Sequence, residues 1–196
     1  ILSMRLRATM EAALLAVLGF GLMLGIKHAF DADHIAAVAT QVSKDASLRK
    51  SSEIGIMWGI GHTITLLLLG LLVLLFRISL PSNLTALFEL GVGIMLVILG
   101  ISALYQIVKQ KMHIHKHKHG TEEHSHLHTH ADSKAHAHTH KPFLIGMVHG
   151  LAGSALLSMV ALTSFNSLGF GLLYIALFGI GSILGMVFIT NIISIP

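Results

Sequence analysis

The chain has no cysteine, only three prolines, one tryptophan and 11% charged residues in 196 positions. Without cysteine there can be no disulfide and no thiolate metal ligand. The three prolines, Pro81, Pro142 and Pro196, fall at or beyond the ends of the apolar segments, so none interrupts them. Charge at 11% is less than half of the ~25% of an ordinary soluble domain, which excludes that class. No G-x4-G-K-[ST] phosphate loop occurs, so ATP hydrolysis within this chain has no support. Outside the histidine-rich stretch at 112–141 there is also no H-x2–4-H array of the sort a di-iron membrane oxidase would need. The net charge of +4 carries no nucleic-acid signal, because the basic residues lie in loops between apolar blocks.

What the chain has is grease: 54% hydrophobic residues and a mean hydropathy of +0.78, arranged in long runs. Five stretches, at about 11–39, 54–76, 85–108, 143–164 and 169–193, approach or exceed the ~20 residues that cross a bilayer. Continuous runs of this length indicate helices, since barrel strands alternate over ~10 residues. The expected fold is an all-α integral membrane protein, a single transmembrane domain over 1–196 with a histidine-rich loop at 109–142 inside it. Arg5 and Arg7 ahead of an apolar run also suit a signal peptide, but the polar cluster inside that run and the four spans after it argue against one.

Lys and Arg set orientation. If all five stretches cross, Arg5, Arg7 and Arg77 share one side, and nine basic residues from Lys44 to Lys141 share the other. The expected topology is multi-pass in the plasma (inner) membrane, with the N-terminus outside and the 40–53 and 109–142 loops in the cytoplasm.

Two passages repeat. GIKHAFDAD at 25–33 aligns with GMVHGLAGS at 146–154, pairing His28 with His149. WGIGHT at 58–63 aligns with FGIGSI at 178–183, pairing His62 with Ser182. The two copies begin three spans apart, an odd spacing that reverses the sense of crossing and predicts a 3+3 inverted repeat with its substrate site at the repeat interface. The pattern also predicts a sixth span matching 85–108. None follows the fifth stretch and the chain does not begin with Met, so it is expected to be incomplete. Spacings such as Gly55–Gly59 and Gly181–Gly185 suit helix packing within one chain as readily as dimerisation, leaving the oligomeric state open.

The first apolar stretch carries His28, Asp31, Asp33 and His34, with Lys27 just ahead. An ionisable group at mid-helix in lipid costs roughly 2.5–3.5 kcal/mol even on the lenient insertion scale, so several facing lipid would cost on the order of 10 kcal/mol. On an ideal helix His28, Asp31 and His34 lie within about 120° of one face, and Asp33 points nearly opposite Asp31. Either Asp33 supports the others from behind or the helix is locally unwound. Imidazole plus carboxylate without sulfur suits Ni²⁺, Co²⁺, Zn²⁺, Cu²⁺ or Fe²⁺. His62 on the second span adds an imidazole, and His149 adds another through the repeat. The plainer alternatives are a buried ion-pair network around Lys27, a proton relay, and helix-packing histidines at His62 and His149.

These residues carry a resemblance. HAFDADH at 28–34 reads as H-x4-D-H, which resembles the signature of the nickel/cobalt transporter family, and MWGIGHT resembles its second-span G-H-[ST] motif. HGLAGSA at 149–155 and FGIGSILGM at 178–186 resemble the shorter, urease-associated branch, and replace the acidic motifs of the longer members. The resemblance implies that His28, Asp33, His34 and His62 handle the metal, with Asp31 an extra ligand or charge balancer. It also implies a Ni²⁺ or Co²⁺ substrate rather than a prosthetic group. Expected partners are the divalent ion, membrane lipid, and a cytoplasmic metallochaperone or urease or hydrogenase maturation proteins; no nucleic acid is expected.

The resulting expectation is a secondary transporter, not an enzyme, that takes up Ni²⁺ or Co²⁺ as its two repeats rock around the ion. At −100 mV a divalent cation gains roughly 4.6 kcal/mol on entry, about three decades of concentration ratio. Related efflux proteins also carry histidine-rich loops, so export is the first rival. A membrane metalloenzyme, which would need an open metal position and a placed acid or base, is the second, and a metal-binding subunit that needs a separate ATPase is the third.

Residues 112–141 hold eleven of the fifteen histidines, mostly at alternate positions, and have no apolar periodicity to build a core. Such a segment is expected to be disordered when metal-free and to chelate divalent metals with modest selectivity, as a buffer, receiver or sensor. Only neutral imidazole ligates, so a peptide of residues 112–141 should bind Ni²⁺ well above pH ~6.5 and release it as the pH falls through that value. Calorimetric titration at two pH values checks this; affinity independent of pH would exclude imidazole ligation.

Overall fold

A computed structural model describes residues 2–42, 47–111, 116–119, 122–125, 140–152 and 167–195. Six helices are described: α1 (Leu2–His28), α2 (Ala32–Ala39), α3 (Leu48–Phe76), α4 (Ser82–Lys111), α5 (His140–Ala152) and α6 (Leu168–Ser194). Outside the histidine loop every described element is an α-helix. Within it, Lys116–His119 and Glu122–Ser125 pair as short antiparallel strands. Most of that loop lies outside the described residues, as does the second part of the expected span 143–164.

Four helices among the described residues are long and apolar enough to cross a membrane: α1 from Glu11, α3, α4 to Lys109, and α6. The sequence pattern and the structure differ in the first stretch. It is not one helix over 11–39, because α1 stops at His28 and α2 starts at Ala32. The cause is local. Asp31 takes the extended N-cap conformation, φ −65° and ψ 147°. Lys27 ends α1 where a cation favours the helix dipole, and Asp33 enters the first turn of α2 where an anion does. The backbone tightens between them through Phe30 N–H to Lys27 and Asp31 N–H to His28.

The bundle is held at glycines. A Cβ on Gly25 would strike the backbone carbonyl of Phe178, and one on Gly181 that of Leu22, so α1 and α6 cross nearly backbone to backbone. Likewise Gly61 lies on Phe143 and Gly146 on Trp58, joining α3 to α5. Gly21 lies on Tyr174 and Gly185 on Ala29, while Gly146 lies on Trp58 and Gly150 on His62, so along each helix pair the residue numbers rise together and each pair runs parallel. Gly55 faces Met186 and Thr190, Gly59 faces Ile183, Gly179 faces Thr63 and Gly70 faces Ile175, so α3 and α6 run antiparallel. It follows that α5 runs opposite to α1. The Gly55–Gly59 and Gly181–Gly185 spacings therefore both pack within the chain.

These contacts come in matched pairs. Gly146 and Trp58 stand 121 and 120 positions from Gly25 and Phe178, and Gly61 and Phe143 are related to Gly181 and Leu22 in the same way. Gly185 against Ala29 matches Gly150 against Thr65, and Gly59 against Ile183 matches Gly179 against Thr63. α4 packs through Val92, Met95 and Leu99 and leaves Leu87, Leu90, Ile94, Val97, Ile101 and Leu104 exposed, with nothing within 4 Å of a Cβ added at Gly91, Gly93 or Gly100.

Overpacking a filled crossing costs typically 1–3 kcal/mol, and more where the obstacle is backbone. Gly61→Leu and Gly181→Leu should each lower the thermal midpoint of the detergent-solubilised protein, whereas Gly91→Leu on open α4 should leave it unchanged. Equal melting of all three variants would contradict the backbone crossings.

Candidate metal centre

The break between α1 and α2 decides where four side chains go. Asp at an N-cap ordinarily accepts a backbone N–H of the next turn, a bond worth ~1 kcal/mol. Asp31 makes no such bond. Its Oδ2 instead accepts from His28 Nδ1 at 2.8 Å. Two residues on, Asp33 Oδ1 accepts from His34 Nδ1 at 3.0 Å. Each carboxylate thus holds an imidazole by its Nδ1–H, and both Nε2 atoms are left buried without a hydrogen-bond partner. Nδ1–H on a carboxylate is the arrangement that orients metal-ligating histidines and makes the other nitrogen a better donor.

α3 brings the third imidazole. His62 is fully buried and neither of its ring nitrogens has a hydrogen-bond partner. One nitrogen from each of His28, His34 and His62 lies within 4.8 Å of the other two. Two nitrogens each ~2.1 Å from one ion can be at most about 4.2 Å apart, so closing by about half an ångström would let an ion hold all three. A buried polar atom without a partner costs ~1–3 kcal/mol, and the four rings here hold five such nitrogens. Packing alone does not account for that many.

α5 adds His149, whose Nε2–H donates to the second oxygen of Asp33 at 2.9 Å. Asp33 therefore spans His34 and His149, and the three form a second group with metal-ligand spacing. The side chains of His34 and His149 are 1% exposed, while those of Asp33 and Asp31 are 41% and 51% exposed. The imidazoles sit inside with the carboxylates at the mouth. All four histidines outside the loop converge here.

Aromatic rings wall the cluster. Trp58, fully buried, stacks on His62 at 5.0 Å and 14°, and lies 4.9 Å from the His34 ring and 5.3 Å from that of His149. Phe178 lies 5.3 Å from His28. Neither ring stood out in the sequence as part of a site, although both open the aligned WGIGHT and FGIGSI motifs and that shared position was the available signal.

All six residues singled out in the sequence, His28, Asp31, Asp33, His34, His62 and His149, are brought together. Lys27 has no ion pair among the described residues, so a network centred on it is absent there. Ser182, the repeat counterpart of His62, is buried with an unpartnered hydroxyl.

Apolar helices long enough to cross a membrane surround a buried, sulfur-free set of imidazole nitrogens whose chemistry suits a transition-metal cation. Comparison with known proteins agrees. Residues 13–154 match the family model described as high-affinity nickel-transport protein (NicO). Over 186 residues the chain is 40% identical to the protein named urease accessory protein UreH of Bacillus sp. (strain TB-90), covering 95% of this chain and 79% of that one. No solved structure matches the chain. The chain belongs to the NicO nickel-transport family, whose members are metal transporters and not enzymes.

Loss of an orienting carboxylate typically lowers metal affinity 10–100-fold. Asp31→Ala should weaken Ni²⁺ binding at the centre by about that factor, read as quenching of Trp58, the one tryptophan in the chain. An unchanged midpoint would show that His28 needs no such support.

Proposed function

We propose that the protein is a secondary transporter that takes Ni²⁺, or Co²⁺ in its place, into the cell across the plasma membrane. The observation that carries this reading is the convergence of partnerless buried nitrogens from His28, His34 and His62. A structural cluster would have satisfied them internally. A site that must accept a dehydrated ion and later release it leaves them vacant.

In this reading a hydrated cation approaches the break between α1 and α2, where Asp31 and Asp33 are half exposed and attract it. The three imidazoles then replace part of its water shell. Asp31 and Asp33 hold the rings of His28 and His34 on axis and offset the ion's charge. Fully apolar surroundings would leave the cost of dehydration uncompensated. Inward movement down a −100 mV potential supplies roughly 4.6 kcal/mol, and no nucleotide site is required.

The architecture we propose is an inverted repeat. Support comes from the opposite senses of α1 and α5 and from the glycine contacts that recur at offsets of 120 and 121. The excess of Lys and Arg in the 40–53 and 109–142 loops favours placing those loops in the cytoplasm and the N-terminus outside. Delivery toward the histidine loop then hands the ion to a cytoplasmic metallochaperone or maturation protein. A relative named as a urease accessory protein fits that direction.

Proteoliposomes holding the protein at an inside-negative potential should accumulate radioactive Ni²⁺. His62→Ala should lower the rate at least about tenfold, the loss of roughly 1.4 kcal/mol or more of ion stabilisation. Equal uptake by the variant would remove the cluster from the path, and net depletion from loaded vesicles or expressing cells would reverse the direction.

A further inference from the structure

Among the described residues two donor groups, not one, come close to the spacing a metal ion needs, and they share a residue. One is His28, His34 and His62; the other is Asp33, His34 and His149. Building on the reading that the ion passes through this cluster, we propose that it occupies two stations in turn, a tri-imidazole station and a carboxylate station, with His34 common to both. Because His34 serves both, one ion at a time is held.

The two stations differ in chemistry and in origin. The first offers only neutral nitrogens, from α1, α2 and α3. The second adds an anionic oxygen and draws His149 from α5, so an ion there ties together helices that are far apart in the chain. His149 stands to its own half as His28 does to the other. Each follows a glycine by three positions, at Gly25 and Gly146, and each of those glycines lies on the backbone of an aromatic residue from the opposite half. The same two aromatic residues then face the histidines, Phe178 on His28 and Trp58 on His149, both at 5.3 Å. The frame is repeated, and so is the imidazole it aims.

The second station is closed in this structure. Asp33 Oδ2 and His149 Nε2 share a proton across 2.9 Å. An ion entering there takes the carboxylate oxygen and the Nε2 lone pair. The displaced proton moves to Nδ1 of the same ring, which is buried and has no partner, so no proton leaves the protein. The side chain of His149, 1% exposed, has no other hydrogen bond among the described residues, so Nδ1 is free to take that proton. A hydrogen bond that ties the halves when the station is empty is thereby exchanged for an ion that ties them when it is full.

The test uses the whole chain and Ni²⁺ alone. Trp58 touches His34, His62 and His149, so its quenching reports the centre and not the histidine loop. His149→Gln should keep the quenching midpoint within about threefold of the unmodified protein while Ni²⁺ uptake into proteoliposomes falls at least about tenfold. His62→Ala should lose both. His149→Asn, which leaves Asp33 and its hold on His34 in place, should split binding from uptake in the same way, and decides the matter if His149→Gln does not fold. Undiminished uptake by His149→Gln would reduce His149 to a packing residue and overturn the proposal. A midpoint raised as far by His149→Gln as by His62→Ala would mean a single station and overturn it too. Normal uptake by His62→Ala would instead remove the parent reading, and the two stations with it.

Discussion

The carboxylate of Asp33 is the joint on which this protein turns. One oxygen holds His34 and the other holds His149, so one short side chain fixes two imidazoles from helices distant in the chain. In a medium with little water neither ring could find another partner. Without both, the inner face of that half-buried carboxylate would lose its compensating hydrogen bonds. Its partial exposure gives the same group a face toward an arriving cation, so the residue that organises the interior also lies at its edge.

Much of this was legible beforehand. Long apolar blocks named the membrane helices, because bilayer thickness is a length constraint that composition reveals directly. The six polar residues of the centre were legible because each is costly in lipid, and cost marks purpose. Less visible was the division of labour among them. On an ideal helix Asp33 faces away from Asp31, and only the break at residues 29–31 turns both carboxylates onto imidazole Nδ1 atoms. The cues for that break, a basic pair before an acid at a cap position, were present as Lys27-His28 and Asp31. A continuous hydrophobic run outweighed them. Trp58 and Phe178 were hidden for another reason: an aromatic residue in a membrane helix is ordinary, and its bearing on a neighbouring ring depends on a crossing angle that one sequence does not contain.

The two halves share a frame but not their donors. Glycine crossings, their aromatic partners and the leading histidines recur, whereas His62 is answered by Ser182 and Asp33 by Ser154. A perfectly matched pair of halves would present the same environment to an ion from either side. Here one half contributes three imidazoles and two carboxylates, and the other a single imidazole.

The bond between Asp33 and His149 joins positions 116 residues apart. A ribosome adding ~5–20 residues per second needs on the order of ten seconds to make that stretch. Through that interval Asp33 in the newly inserted first segment can hold His34, but the mate of its second oxygen does not yet exist. The segment must therefore wait beside the insertion machinery, in water or against protein, before moving fully into lipid. Biogenesis of this chain is thus tied to synthesis of its later helices, and a product cut short before His149 would leave one oxygen of Asp33 without its partner.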